Sequence, residues 1–159
     1  MNKQTWKTYA FWIVFTELVG LLAGLLTREA TQMYATTIQQ PPLSPPAVVF
    51  PIVWTVLYAL MGVGAARVYL MPPSVSRSRG LLLYLVQLFF NFLWSILFFN
   101  LQAFGLAFIW LVALWVLILW MILTFRRVDP LAAWLQVPYL LWVTFAGYLN
   151  YAVWMLNRA

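Results

Sequence analysis

Five apolar runs, each long enough to cross a bilayer, constrain this chain more than any other feature of its sequence. They cover roughly residues 9–26, 47–70, 81–101, 105–125 and 131–156. A hydrocarbon core of ~30 Å needs about 20 apolar residues in a helix, and backbone groups in lipid must find their hydrogen bonds within the segment. None of the runs shows the alternation of a strand. The sequence therefore predicts an all-α membrane protein, a bundle of five transmembrane helices forming a single domain over residues 1–159.

The composition agrees with lipid as the solvent and excludes several classes of function. Only 8% of the residues are charged and 65% are hydrophobic, whereas a soluble domain has roughly 25% charged residues. The chain has no cysteine and no histidine, which removes disulfides, thiolate chemistry, the usual general base and the usual metal ligands. Because histidine and cysteine are missing, no metal site is expected. The net charge of +6 is spread over several loops, so no nucleic-acid partner is expected either.

The distribution of basic residues predicts the orientation of the bundle. With five spans, the N-terminus and the second and fourth loops share one side, which holds Lys3, Lys7, Arg67, Arg77, Arg79, Arg126 and Arg127. The other side holds only Arg28 and Arg158. Because cytoplasmic loops are enriched in Lys and Arg, we expect a cytoplasmic N-terminus and an external C-terminus, in a bacterial cell membrane.

A proline-dense loop that runs into an aromatic helix is the first candidate for a binding site. The stretch from Pro41 to Tyr58 reads PPLSPPAVVFPIVWTVLY. Trp54 and Tyr58 are one turn apart, so the stretch predicts an aromatic clamp at the mouth of the bundle with the loop as its lid. The predicted lid residues are Pro41, Pro42, Leu43, Pro45 and Pro46.

Prolines also predict local breaks in two of the spans. We expect Ser44-Pro45 to be the N-cap and first residue of the second span, and Pro51 to bend this helix near Ala47. Asp129-Pro130 is a helix start for the fifth span. Pro138 lies inside that span and removes a backbone hydrogen bond, which predicts a second bend.

Polar and aromatic residues share stripes on the third and fifth spans. Gln87, Asn91 and Ser95 follow each other at intervals of four residues, and Tyr139, Trp142, Ala146 and Asn150 share one face of the fifth span. Such stripes either orient a ligand or join helices to each other, and most of the ten tryptophans fit interfacial belts or packing. The candidate ligand-binding residues are Trp54, Tyr58, Asn91, Trp94, Phe98, Tyr139, Trp142, Ala146 and Asn150.

Glu17, near the middle of the first span, is the most unusual single residue. A carboxylate there costs about 2.5–3.5 kcal/mol on insertion scales, so it is expected to face a cavity or a partner. One interpretation is a proton site or a ligand contact. The other is a protonated side chain hydrogen-bonded to Gln87 or Asn91. Gly20 and Gly24 on the same helix favour close packing inside the bundle over a dimer contact.

Three segments resemble the TspO/translocator protein family, whose members are also called tryptophan-rich sensory proteins and peripheral benzodiazepine receptors. They are PPLSPPAVVFPIVWTVLYALMG, NFLWSILFF from Asn91 and PYLLWVTFAGYLNY from Pro138. The resemblance implies a five-helix bundle, commonly a homodimer, that binds porphyrins, haem and other hydrophobic ligands, including drugs. It implies that Trp54 and Trp142 line the pocket, that bulk at Ala146 disturbs binding, and that Asn91 is the family's third-helix asparagine.

This chain also departs from the family pattern. Leu43 stands where the family loop usually has an aromatic residue, and Gln40 stands where it has a lysine. The C-terminal sterol pattern is incomplete because Arg158 lies one residue too far from Tyr151, which argues against sterol binding.

Three functions are compatible with these features. The first is a sensor, carrier or scavenger that binds porphyrin or haem as a ligand and requires no cofactor. The second is an enzyme that degrades porphyrin by photo-oxidation, with Trp54 and Trp142 as electron donors, since no conventional catalytic constellation is present. The third is a small proton-coupled exporter that uses Glu17.

Overall fold

The structure, a computed structural model, describes residues 1–158, which form seven α-helices and one π-helical turn. The helices are α1 (Lys3–Leu26), α2 (Arg28–Thr37), α3 (Val49–Tyr69), α4 (Val75–Ser95), α5 (Phe104–Val128), α6 (Pro130–Leu135) and α7 (Val137–Asn157), with the π-helical turn at Ile96–Asn100. Within the described residues, five helical segments are long and apolar enough to cross a membrane, the fifth being α6 and α7 together. The predicted all-α bundle of five spans is confirmed.

The way the spans pair determines where a cleft lies. The most extensive contacts join α4 to α5 and α1 to α3, and α5 also packs along α6 and α7. By contrast, α3 contacts α6 closely but touches α7 at few positions. The two helices therefore diverge towards the end of the bundle that carries α2, and aromatic side chains fill the space between them.

Close approach of α1 and α3 depends on glycine. A Cβ atom added to Gly62 would lie 2.6 Å from the Cα atom of Ile13 and 2.9 Å from the carbonyl oxygen of Trp12. Gly20 lies against the ring of Tyr58, as expected for packing inside the bundle. Gly24 has open space around it, so the predicted packing role is wrong for that glycine, which lies on the exposed face of α1.

Gly62→Ala is expected to destabilise the bundle by about 1–3 kcal/mol, because the new methyl group meets backbone atoms that cannot rotate away. Gly24→Ala is the matched control. It should be neutral or stabilising by up to roughly 1 kcal/mol, since alanine is the better helix former and nothing obstructs it. Unfolding in mixed micelles by increasing SDS measures both values, and equal stabilities of the two variants would contradict the assignment.

An ion pair joins the C-terminal end of α3 to the N-terminal end of α6. The Nε atom of Arg67 donates to Oδ2 of Asp129 at 2.6 Å. Arg67 lies in the last turn of α3, and Asp129 precedes Pro130, the first residue of α6. Each charge therefore also complements the dipole of its own helix. The predicted helix start at Asp129-Pro130 is confirmed.

Proline acts as predicted in the fifth span but not in the second. The fifth span is interrupted at Gln136, two residues before Pro138, which confirms the second bend. However, α3 begins at Val49 with Val48 as its N-cap, so the predictions of a Ser44-Pro45 start and of a bend near Ala47 are wrong. Pro51 lies in the first turn, where its missing N–H would have had no intrahelical partner.

Candidate functional site

An aromatic cluster joins α3 and α7 where the two helices diverge. The ring of Trp54 stacks on Tyr58 with centroids 5.4 Å apart, and it meets Trp142 edge to face at 6.5 Å. Tyr139 adds a further edge contact to Trp54 at 6.2 Å. Because aromatic rings in contact have centroids about 4.5–7 Å apart, the two indoles touch. The expected clamp is therefore closed, with no ring-sized gap between Trp54 and Trp142.

The outer part of this cluster remains accessible. Trp54 and Trp142 are half-buried, whereas Tyr58 and Tyr139 behind them are buried. Phe50, one turn before Trp54, covers Trp142 with ring centroids 5.9 Å apart. The two indoles are therefore partly exposed at the surface of the bundle, next to Phe50.

A chain of buried hydrogen bonds lies behind the aromatic cluster. The Tyr58 hydroxyl donates to Oδ1 of Asn91 at 2.9 Å, and Nδ2 of Asn91 donates to the Tyr139 hydroxyl at 2.8 Å. Tyr139 in turn donates to Oε1 of Gln87 at 2.7 Å. The chain joins α3, α4 and α7, so Asn91 and Gln87 serve as interhelical contacts.

Three of the predicted site residues lie in a second cluster. Nε1 of Trp94 donates to Oδ1 of Asn150 at 3.0 Å, and Nδ2 of Asn150 donates to the Phe104 carbonyl at 2.9 Å. Phe98 stacks on Trp94 with ring centroids 5.1 Å apart. All three side chains are buried and their polar groups are satisfied by protein. Ala146, also buried, is on α7 one turn from Trp142 and from Asn150.

The lid is fastened to α7 by side chains that are not among the predicted site residues. The Tyr148 hydroxyl donates to the Pro42 carbonyl at 2.8 Å. Oδ1 of Asn157 accepts from the backbone N–H of Gln39 at 3.1 Å, and Nδ2 of Asn157 donates to the backbone carbonyl of Gln39 at 2.9 Å. Because these contacts join positions more than a hundred residues apart, no local sequence pattern identifies them. They hold the loop across the end of the bundle.

The tip of the lid has a strained backbone. Leu43 adopts a φ of 71°, a left-handed conformation that is uncommon for residues other than glycine. Its side chain is exposed, and the neighbouring Ser44 hydroxyl donates to the Pro41 carbonyl at 2.7 Å, closing a turn. Pro41 is buried, Pro45 half-buried, and Pro42 and Pro46 are exposed. The predicted lid residues thus form a tight turn rather than the start of α3.

A short helix within the predicted loop, α2, covers the second cluster. Tyr34 of α2 packs against Phe98 and Phe99 with ring centroids 5.4 and 5.3 Å apart. This burial raises the pKa of the Tyr34 phenol to about 12. Residues 27–46 connect the first two predicted spans, and no helix was predicted there.

Glu17 lies on α1 beside the buried polar chain but is not part of it. The preceding residue, Thr16, hydrogen-bonds through its hydroxyl to that of Tyr84. Within residues 1–158 the Glu17 carboxyl makes no hydrogen bond or ion pair, and the amides of Gln87 and Asn91 bond to other groups. The considered hydrogen bond from Glu17 to either amide is therefore absent, and its role as a proton site remains a prediction.

The side chains at this site are aromatic rings backed by amide and hydroxyl groups. Among the described residues no group of three or more His, Cys, Asp and Glu side chains comes together. The aromatic cluster offers ring faces and edges to a flat apolar molecule. The amide and hydroxyl groups behind it are already hydrogen-bonded, so they fix the cluster in place.

Comparison with known proteins identifies relatives along almost the whole chain. The sequence model of the TspO/MBR family matches residues 12–155. A tryptophan-rich protein TspO from Chlorobaculum tepidum is 37% identical over 99% of both chains. The translocator protein of Bos taurus is 31% identical over 96% of this chain and 92% of its own. Protein CrtK of Rhodobacter capsulatus is 38% identical over 94% of this chain and 92% of its own.

Proposed function

This chain belongs to the TspO/MBR family of membrane proteins, and we propose that it binds porphyrin or haem at the α3–α7 aromatic cluster beneath the lid. The observation that supports this most strongly is the contact of the half-buried indoles of Trp54 and Trp142 at a seam where few other residues join the two helices. Such a seam opens at low cost and then presents several ring faces. The resulting activity is that of a sensor, carrier or scavenger.

Physical chemistry favours a flat, wide and apolar ligand at this seam. Each aromatic contact contributes about 0.5–1.5 kcal/mol beyond the area that it buries, and Trp54, Trp142, Phe50 and Tyr58 can share one macrocycle. A metal-free porphyrin needs no axial ligand. Haem held here would take Tyr or Met as its axial ligand or none, since the chain has no histidine or cysteine.

Titration of the purified protein in detergent with protoporphyrin, haem, cholesterol and a benzodiazepine-type drug tests the ligand class. We expect tryptophan quenching by the two tetrapyrroles with dissociation constants of roughly 1 μM or below, about −8 kcal/mol, and weaker binding of cholesterol. A Trp120→Phe/Trp134→Phe variant, altered only at exposed indoles, serves as the control and should retain this affinity. Binding of cholesterol as tight as that of protoporphyrin would contradict the proposal.

The distribution of basic residues supports one orientation of the protein in the membrane. We infer that the lid and α2 face the outside and the N-terminus the cytoplasm, because seven of the nine basic residues lie at the opposite end from the lid. The chain has no cysteine, so a single Ser44→Cys substitution should react with a membrane-impermeant maleimide on intact cells, and Ser76→Cys should not. We also propose that the protein is a homodimer, because members of the family it resembles commonly are.

A further inference from the structure

A groove on the membrane-facing side of α5 and α7 is separate from the aromatic cluster. It has a volume of about 370 Å³ and is lined by residues of those two helices alone. Its length follows from the two ends. Phe108 meets Tyr151 at one end, with ring centroids 5.4 Å apart, and Trp115 meets Thr144 at the other. Seven residues of α5 at 1.5 Å rise give roughly 10 Å along the helix axis.

Gly147 forms the floor of this groove. A Cβ atom added there would reach Cδ2 of Leu111 at 3.4 Å, an ordinary van der Waals contact. The packing of α5 against α7 therefore does not require a glycine. Its effect is to leave a hollow between the two helices where a larger side chain would fill the space.

The groove is largely apolar, and the polar side-chain atoms of Trp115, Thr144 and Tyr148 in its lining are hydrogen-bonded within the protein. Nε1 of Trp115 donates to the Thr144 hydroxyl at 2.9 Å, which donates to the Leu140 carbonyl at 2.8 Å. At the opposite end the Tyr148 hydroxyl is bonded to Pro42 of the lid. No charged side chain lines the groove. Water would find few hydrogen-bond partners in such a space, so the lining favours an apolar occupant.

The groove opens sideways into the hydrocarbon of the bilayer. Val112 and Tyr151 on its walls are each 48% exposed, and the neighbouring Ile109 is 65% exposed. The axis of the groove runs along two membrane-spanning helices, the same direction as lipid acyl chains. In that layer the abundant molecules with a long, narrow and apolar shape are the acyl chains.

We propose that the α5–α7 groove is a binding site for one acyl chain of a membrane phospholipid. The acyl chain lies along Val112 and over Gly147 and fills the hollow. It also contacts the ring of Tyr148, whose hydroxyl anchors the lid. This site is independent of the aromatic cluster, so it does not depend on the proposed binding of tetrapyrroles.

Photo-crosslinking in nanodiscs tests the proposal. The protein is reconstituted in phosphatidylcholine doped with a phosphatidylcholine that carries a diazirine on one acyl chain, illuminated, and mapped by mass spectrometry. Labelling should concentrate on residues 108–115 and 143–151 relative to the exposed face of α1. Gly147→Leu, which fills the groove, should lower that labelling by about tenfold, the effect of losing ~1.4 kcal/mol of contact. Gly24→Leu, the same change at an open lipid-facing glycine, should leave it unchanged.

Two outcomes would overturn the site. One is labelling spread evenly over α1, α5 and α7. The other is equal labelling of the groove in the Gly147→Leu and Gly24→Leu proteins. If Gly147→Leu fails to fold, Val112→Phe fills the groove from the opposite wall and is expected to give the same loss. A Val112→Cys protein that forms a disulfide between two copies in the nanodisc, in a chain with no other cysteine, and that gives no lipid adducts in the groove, would assign the groove to a protein contact and would also overturn the proposal.

Discussion

Replacing Asn91 with leucine is expected to destabilise the folded bundle by about 2–4 kcal/mol, because it leaves polar groups in a dry interior without partners. Asn91 accepts a hydrogen bond from Tyr58 and donates one to Tyr139, and all three residues are buried. Leucine has a similar size, so the loss reflects hydrogen bonding more than volume. Unfolding by SDS in mixed micelles measures the difference in free energy.

A second substitution separates this mechanism from a general packing defect. In the Asn91→Leu background, Tyr58→Phe removes the unpaired hydroxyl and should restore roughly 1 kcal/mol or more. In the wild-type background, Tyr58→Phe should cost stability instead, since it breaks the bond to Asn91. Additive losses from the two changes would show that the hydrogen-bond chain does not act as described.

Replacing both Trp54 and Trp142 with phenylalanine is expected to weaken protoporphyrin binding about 10–100-fold. Two smaller rings lose area and part of their stacking energy, together ~1.4–2.8 kcal/mol. The free energy of unfolding should change less than for Asn91→Leu, because both indoles are only half-buried. Soret absorbance and tryptophan quenching give the affinity, and circular dichroism reports whether the helices persist.

The matched control is Trp120→Phe with Trp134→Phe. These indoles are 53% and 70% exposed and lie on α5 and α6, away from the seam. The control should bind porphyrin as the wild type does. An equal loss of affinity in both double variants would mean that tryptophan content, and not the α3–α7 cluster, determines binding.

The spans could be predicted from sequence because burial in lipid leaves the backbone few alternatives. Runs of about 20 apolar residues give helices whatever their partners are, and the bend at Pro138 follows from a hydrogen bond that proline cannot make. The start of α3 was misplaced by several residues. The Ser44 hydroxyl bonds to the Pro41 carbonyl and does not cap the helix. The conformation of Ser44 depends on the attachment of the lid to α7, which is a long-range contact.

The candidate site was only partly predictable for the same reason. The one-turn spacing of Trp54 and Tyr58 is local, so their stacking could be expected. Whether Trp142 faces Trp54 across a gap or touches it depends on the distance between α3 and α7, which no local pattern sets. The anchors Tyr148 and Asn157 bond to a loop more than a hundred residues away. They could not have been distinguished from other polar residues of α7.

The location of the ligand is the central claim, and indole resonances test it most directly. In ¹⁵N-labelled protein, each tryptophan contributes one Nε1–H signal, assigned by single Trp→Phe substitutions. Adding protoporphyrin should shift the signals of Trp54 and Trp142 strongly, through the ring current of the macrocycle, and leave those of Trp120 and Trp134 in place. Large shifts confined to other indoles, with Trp54 and Trp142 unmoved, would contradict a ligand site at the α3–α7 cluster.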